Sequence, residues 1–180
     1  MPPVTRSTVL VALLAVAACG AEAPSRNAAG AAADGWHDFE GSWTAAGSVR
    51  TIALGNGRQA SLADLRGTLS LAGASRPSLG FRGDAIALSD SESGMVGRAS
   101  WTDERGDQVF SELRGGGPAK GSHVTGTFIG GTGRYAGATG TYEFTWEYVL
   151  AAEDGTVQGR AVGLKGRVHV ASGGAGKNAR

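Results

Sequence analysis

A single cysteine, Cys19, is all the thiol chemistry that this 180-residue chain holds. An internal disulfide is therefore excluded, and so is a metal site built on several thiolates. Proline is scarce, at five residues, and there are only three histidines. Zinc takes three or four convergent ligands, and His37, His123 and His169 show no His-x-His or His-x-x-x-His spacing. The formal net charge is +1, with Lys and Arg dispersed rather than gathered in a stripe, which excludes the electrostatic footprint of a nucleic-acid binder. No apolar run approaches the ~20 residues that a helix needs to cross a bilayer. Stability has to come from one packed core, and the chain is long enough to bury one.

What is present begins with an address. Arg6 supplies a positive n-region, and Val9 to Ala18 form an apolar run of signal-peptide length. The run ends in Val16-Ala17-Ala18-Cys19, which resembles the lipobox of bacterial lipoproteins: an aliphatic residue, two small ones, then the acceptor cysteine. A secretory signal cut after Ala15-Val16-Ala17 also satisfies a small-x-small rule. The lone cysteine sits where lipidation requires one, however, so residues 1–18 are read as a lipoprotein signal peptide and Cys19 as the lipidated residue. Gly20 follows, where the inner-membrane retention signal of enteric bacteria has Asp. The expected location is the outer membrane of a Gram-negative host, facing the periplasm, or otherwise a lipid-anchored place on the cell surface. Residues 19–35 have almost no large apolar side chains and read as a flexible tether; residues 172–180 are Gly-rich and polar and read as a disordered tail.

Between them, over residues 36–171, the pattern is short alternation broken by Gly, Asp and Ser, the mark of an all-β domain. In Thr141 to Leu150, Tyr142, Phe144, Trp146, Tyr148 and Leu150 fall on one face, against Thr141, Glu143, Thr145, Glu147 and Val149 on the other. Further candidate strands are Gly41–Ala46, Val49–Leu54, Gly67–Ala72, Ala85–Asp90, Val96–Asp103, Gln108–Leu113, His123–Ile129 and Val157–Val170. Short connections predict an antiparallel meander, and closure removes its edges, so the expected fold is a small antiparallel β-barrel of roughly eight strands. No strand is apolar enough on both faces to require a trimer. Gly and charged residues interrupt most strands, which argues against a lipid-facing outer band.

The stretch Thr127-Phe128-Ile129-Gly130-Gly131-Thr132-Gly133-Arg134-Tyr135-Ala136-Gly137-Ala138-Thr139-Gly140 resembles the Gly-Gly-Thr-Gly motif of the allene oxide cyclase–dirigent barrel superfamily. The likeness extends more weakly over roughly Gly67 to Val170, into its uncharacterised bacterial members. It implies a turn across a barrel end built on Gly130, Gly131 and Gly133, with Tyr135 plugging the mouth. No catalytic residue of that superfamily carries over. Gly41-Ser42-Trp43 also resembles the Gly-x-Trp that opens lipocalin and avidin barrels.

No chemistry-bearing motif survives inspection. The glycines of GGTGR lack the Lys-Ser/Thr and helix of a P-loop, and no Gly-x-Ser-x-Gly elbow occurs. Asp103, Glu104, Arg105 and Asp107 read as a solvated turn. His123 shares a strand face with Thr125, Thr127 and Ile129 that could look into the lumen. Burying an aromatic stripe stabilises more than burying unpaired carboxylates, so Glu143 and Glu147 are expected outside, with Lys165 and Arg167. Trp43, Trp101, Tyr142, Phe144, Trp146 and Tyr148 become the expected interior walls. Whether they fill the core or line an apolar pocket the sequence leaves open. The expected activity is binding of an apolar or aromatic small molecule, or of an envelope protein, without a metal or cofactor. The alternatives are a cyclase- or dirigent-like enzyme steering a reactive hydrophobic intermediate, and a structural lipoprotein with a solid barrel.

Overall fold

The computed structural model describes residues 35–73, 76–116 and 122–170; Cys19, the signal peptide, the tail and all of the tether but Gly35 lie outside them. Eight strands follow one another: β1 Trp36–Gly55, β2 Arg58–Gly73, β3 Arg76–Asp90, β4 Gly94–Thr102, β5 Gln108–Gly115, β6 Ser122–Gly131, β7 Thr139–Ala151 and β8 Thr156–His169. Each pairs antiparallel with the next, and β8 returns to β1, closing the sheet into the expected barrel. One rim, called near here, carries both ends of the barrel chain, the β4–β5 turn and the β6–β7 connection. The β1–β2, β3–β4 and β7–β8 turns lie at the far rim.

The strands differ from expectation in two places. The candidates Gly41–Ala46 and Val49–Leu54 are one strand, because Gly47 makes no turn. It faces inward, and the Asp64 carbonyl of β2 occupies the space that a Cβ would need. In β7 the alternation holds to Tyr148, where a bulge shifts the register against β8. Leu150 is consequently exposed beside Val149 instead of joining the core.

An eight-stranded barrel has an interior just wide enough for side chains to fill. Here aromatic rings fill it in a continuous column. From the near rim it runs through Tyr135, Phe81, Trp101, Tyr142, Phe144, Trp43, Trp146 and Tyr148, with successive ring centroids 4.7 to 6.3 Å apart. Phe39 and Phe128 flank Trp101. Rings this large fit because the strands facing them carry glycine. A Cβ at Gly126 would collide with the Tyr142 ring, one at Gly159 with the Trp146 indole, and one at Gly83 would lie 2.8 Å from Trp43 Nε1.

The outer face carries charges on most strands, in cross-strand pairs such as Arg98–Glu112, Arg160–Glu147 and Lys165–Glu143. A charged exterior around an apolar interior is the reverse of the transmembrane barrel pattern.

Gly126 does not have a positive φ, so Gly126→Ala tests the ring-on-glycine packing alone. Urea unfolding should show a loss of about 1–3 kcal/mol, the usual range for overpacking, whereas Thr125→Ala on the exposed face should change little. Equal midpoints for Gly126→Ala and the wild type would mean that the Tyr142 ring is not where it is described.

Candidate functional site

The near rim is closed by the Gly-rich segment. Thr132 leaves β6, Gly133–Tyr135 form one 3₁₀ turn, and the chain re-enters the sheet at Thr139. Gly130, Gly133, Gly137 and Gly140 have positive φ, which only glycine adopts readily. Gly131 serves differently, by close approach to the Gln108 carbonyl. Tyr135 is half-buried against Phe81, at 6.0 Å, and burial pushes its phenol up to about 12.

This cap is clamped from the β4–β5 turn. The Asp103 carboxylate is fully buried, and Arg134 Nε donates to its Oδ2 at 2.6 Å while the same guanidinium reaches Glu104 at 3.0 Å. Asp103 Oδ1 accepts the backbone N–H of Arg105 at 2.8 Å and of Asp107 at 3.0 Å. Burial would raise the Asp103 pKa; these N–H donors and Arg134 outweigh it and hold the carboxyl below its ordinary value. The expectation of a merely solvated turn is therefore corrected at Asp103. Nothing local announces this, because Arg134 lies 31 residues away in sequence.

In mid-barrel, Ser111 and Tyr142 share a buried hydrogen bond of 2.7 Å, and burial holds the Tyr142 phenol above its ordinary value. Towards the far rim, alanines replace rings on β2 and β3. There Ala63, Ala85 and Ala87 face Trp43, Phe144, Trp146 and Tyr148 across a cavity of about 60 Å³, with Met95, Leu113 and Val124 completing its apolar wall and Ser89 its one aliphatic hydroxyl. The indole N–H of Trp43 is buried against Gly83 without an acceptor among the described residues, and that of Trp146 has the Tyr148 phenol as its neighbour.

The six aromatics expected as interior walls thus lie inside, but in two settings. Trp101 and Tyr142 belong to the packed near half, whereas Trp43, Phe144, Trp146 and Tyr148 line the cavity. Trp43 sits in the middle of the column rather than closing an end. His123 is on the outer face with Thr125, Thr127 and Ile129, its side chain 60 % exposed and 3.7 Å from Glu143. Arg98 and Glu143 are also outside, so none of these three supplies the lumen with an acid or base. Met95, Ala63 and Ala87 were not singled out in the sequence; small and flexible residues on an inward face carry no signal of their own without the register.

The fold places the chain among small closed all-β barrels with a largely filled interior. No family model and no curated protein matches the sequence. A solved structure of a pterocarpan synthase dirigent protein is similar to this chain, with 14 % sequence identity and a TM-score of 0.47, over 79 % of this chain and 90 % of that one. The closed strand order, rather than that likeness, defines the barrel.

Because the Asp103 pKa is depressed below 3.8 in the folded state, the clamp contributes stability that is fully present above about pH 4. That stability is lost as pH falls through the folded value. Asp103→Asn should cost about 1–3 kcal/mol near neutrality, the range for a hydrogen bond to a charged group. The gap between wild type and variant should close as denaturation is repeated from about pH 6 down to about pH 2. A gap that stays constant would show that the carboxylate charge is not what holds the cap.

Proposed function

We propose that the chain is a lipid-anchored envelope protein that binds a small apolar molecule at the far end of its barrel. The observation that carries this reading is the cavity beside Trp43 and Trp146. Elsewhere the lumen is largely filled by rings, but here the wall is apolar and small side chains stand where rings could.

Size narrows the ligand. Pockets for whole drug-sized molecules run to about 300–1,000 Å³. A cavity of about 60 Å³ takes the end of a slender alkyl group, not a fused ring system. This same small volume favours the second reading, a structural or partner-binding lipoprotein with a solid barrel. Catalysis by acid and base gains no support from His123, Glu143 or Arg98, which stand outside the barrel. A cyclase- or dirigent-like activity would have to rest on positioning alone.

Anchoring at Cys19 would tether the barrel to a membrane. The seventeen residues from Cys19 to Gly35 span at most about 55 Å when extended. Lipid on Cys19 would therefore keep the near rim within that distance of the membrane.

The test uses native mass spectrometry of the purified protein, followed by quenching of tryptophan fluorescence with 1-bromohexane. Saturable quenching that is lost in Ala87→Leu, which puts three carbons into the cavity, is the expected result. A bare mass together with quenching that never saturates would sink the ligand reading in favour of the solid barrel.

A further inference from the structure

Exposed aliphatic side chains are unevenly placed. Leu62, Ile86, Leu88 and Val96 are 48 %, 56 %, 53 % and 48 % exposed, and all lie on the outer face of β2, β3 and β4. The register makes them one patch: Leu62 is opposite Leu88, and Leu88 is opposite Val96, forming an apolar row across three strands. In the adjoining row Asp64 is opposite Ile86, and Ile86 is opposite Arg98. With strands about 4.8 Å apart, each row is about 10 Å from its first residue to its last. Since Ala85 faces inward and is buried, β3 is apolar on both faces.

We infer that this face is the contact surface for a second copy of the chain, packed about a two-fold axis that runs along β3. The two rows have the symmetry that such an axis requires. Exchanging β2 with β4 sets Leu88 on Leu88 and Ile86 on Ile86, and Leu62 of each copy on Val96 of the other. It also sets Asp64 of each copy against Arg98 of the other, twice. An axis running across the strands would instead press Asp64 on Leu62 and Arg98 on Val96, charge against aliphatic.

The charges decide between occupants. An anionic bilayer would be attracted by unbalanced cations; Arg50 and Arg114 at the margins are such cations, but at the centre of the patch Asp64 offsets Arg98 at the same level. Within one chain the two are only lightly committed: Asp64 holds Arg66 at 3.6 Å, and Arg98 holds Glu112 at 2.8 Å, all of them substantially exposed. Exposed pairs of this kind contribute little and rearrange readily. Asp84 and Asp90, next along β3 on either side, would meet their own copies near the axis, but they are engaged by Arg82 at 3.2 Å and by Arg58 at 3.0 Å. Arg50 and Arg114 flank the apolar row on β1 and β5. Across the axis they meet like charges, at margins that the curvature of the barrel carries apart.

Three strands of a convex surface offer less than the ~800 Å² per partner of a standard interface. The dimer is therefore reversible and concentration-dependent. Sedimentation equilibrium of the full chain carrying Cys19→Ser, which removes the proposed lipid, should show a monomer–dimer equilibrium. Leu88→Glu should weaken it at least tenfold while leaving the thermal melt near that of the parent. Asp64→Arg and Arg98→Asp should each weaken it at least threefold, and the double variant should recover most of that loss. Three results would overturn the inference: monomer at every concentration up to about millimolar, a trimer, or a dimer indifferent to Leu88→Glu. Failure of the double variant to recover would overturn the axis along β3. Co-sedimentation of the monomer with phosphatidylglycerol vesicles, lost in Leu88→Glu, would give the face to a bilayer instead.

Discussion

The accommodation of large rings in a narrow cylinder is the constraint on which the rest of this molecule depends. Eight strands enclose little more than a side chain's width, yet ten aromatic rings lie inside or at its mouth. They fit because Gly83, Gly126, Gly159 and Gly166 stand where the rings of Trp43, Tyr142, Trp146 and Phe39 need room. A glycine in a strand ordinarily weakens it, but here its missing side chain is filled by a neighbour's. The cavity appears where this complementarity lapses, at Ala63, Ala85 and Ala87, which have neither a ring of their own nor one fully seated on them.

Polar groups are admitted to this interior only under terms that the geometry makes plain. Tyr142 and Ser111 satisfy one another in mid-barrel. Asp103 is buried only with two backbone N–H groups and a guanidinium around it. Those partners tie two connections of the near rim into one unit: the β4–β5 turn supplies the carboxylate and the cap over the lumen supplies the arginine. The far rim has a more exposed counterpart, in which Arg58 beside the β1–β2 turn holds Asp90 at 3.0 Å and Glu92 at 3.2 Å beside the β3–β4 turn, and the unfilled space lies towards that rim.

How much of this could be read from the sequence depends on how far apart the cooperating residues lie. The alternation of Tyr142, Phe144, Trp146 and Tyr148 against Thr and Glu is local, has a period of two and involves large side chains, so both the strand and its inward face were legible. The all-β class and the rough number of strands followed from the same pattern. Gly47 read as a break, since a glycine for close approach and a glycine for a turn look alike until the neighbouring strand is known. Leu150 read as core because a bulge leaves no mark on alternation. Asp103 read as solvent-facing because its partner belongs to another connection. The face formed by Leu62, Leu88 and Val96 was invisible for a related reason: the three residues come from separate strands and become a row only through the register.

The seam between β1 and β8 carries a mechanical consequence. Their ladder begins at Trp36 and His169, side by side at the near rim, and runs inward to Ser48 and Thr156. The first rung is reinforced by the Trp36–His169 ring contact at 5.3 Å and by Arg167 over the Trp36 ring at 4.9 Å. Tension applied between these two ends acts along the hydrogen bonds, perpendicular to the strands, so it meets one rung at a time. Such a barrel peels open like a zip at low force along this single seam, while the other seven strand pairs, joined by their connections, bear none of the first load.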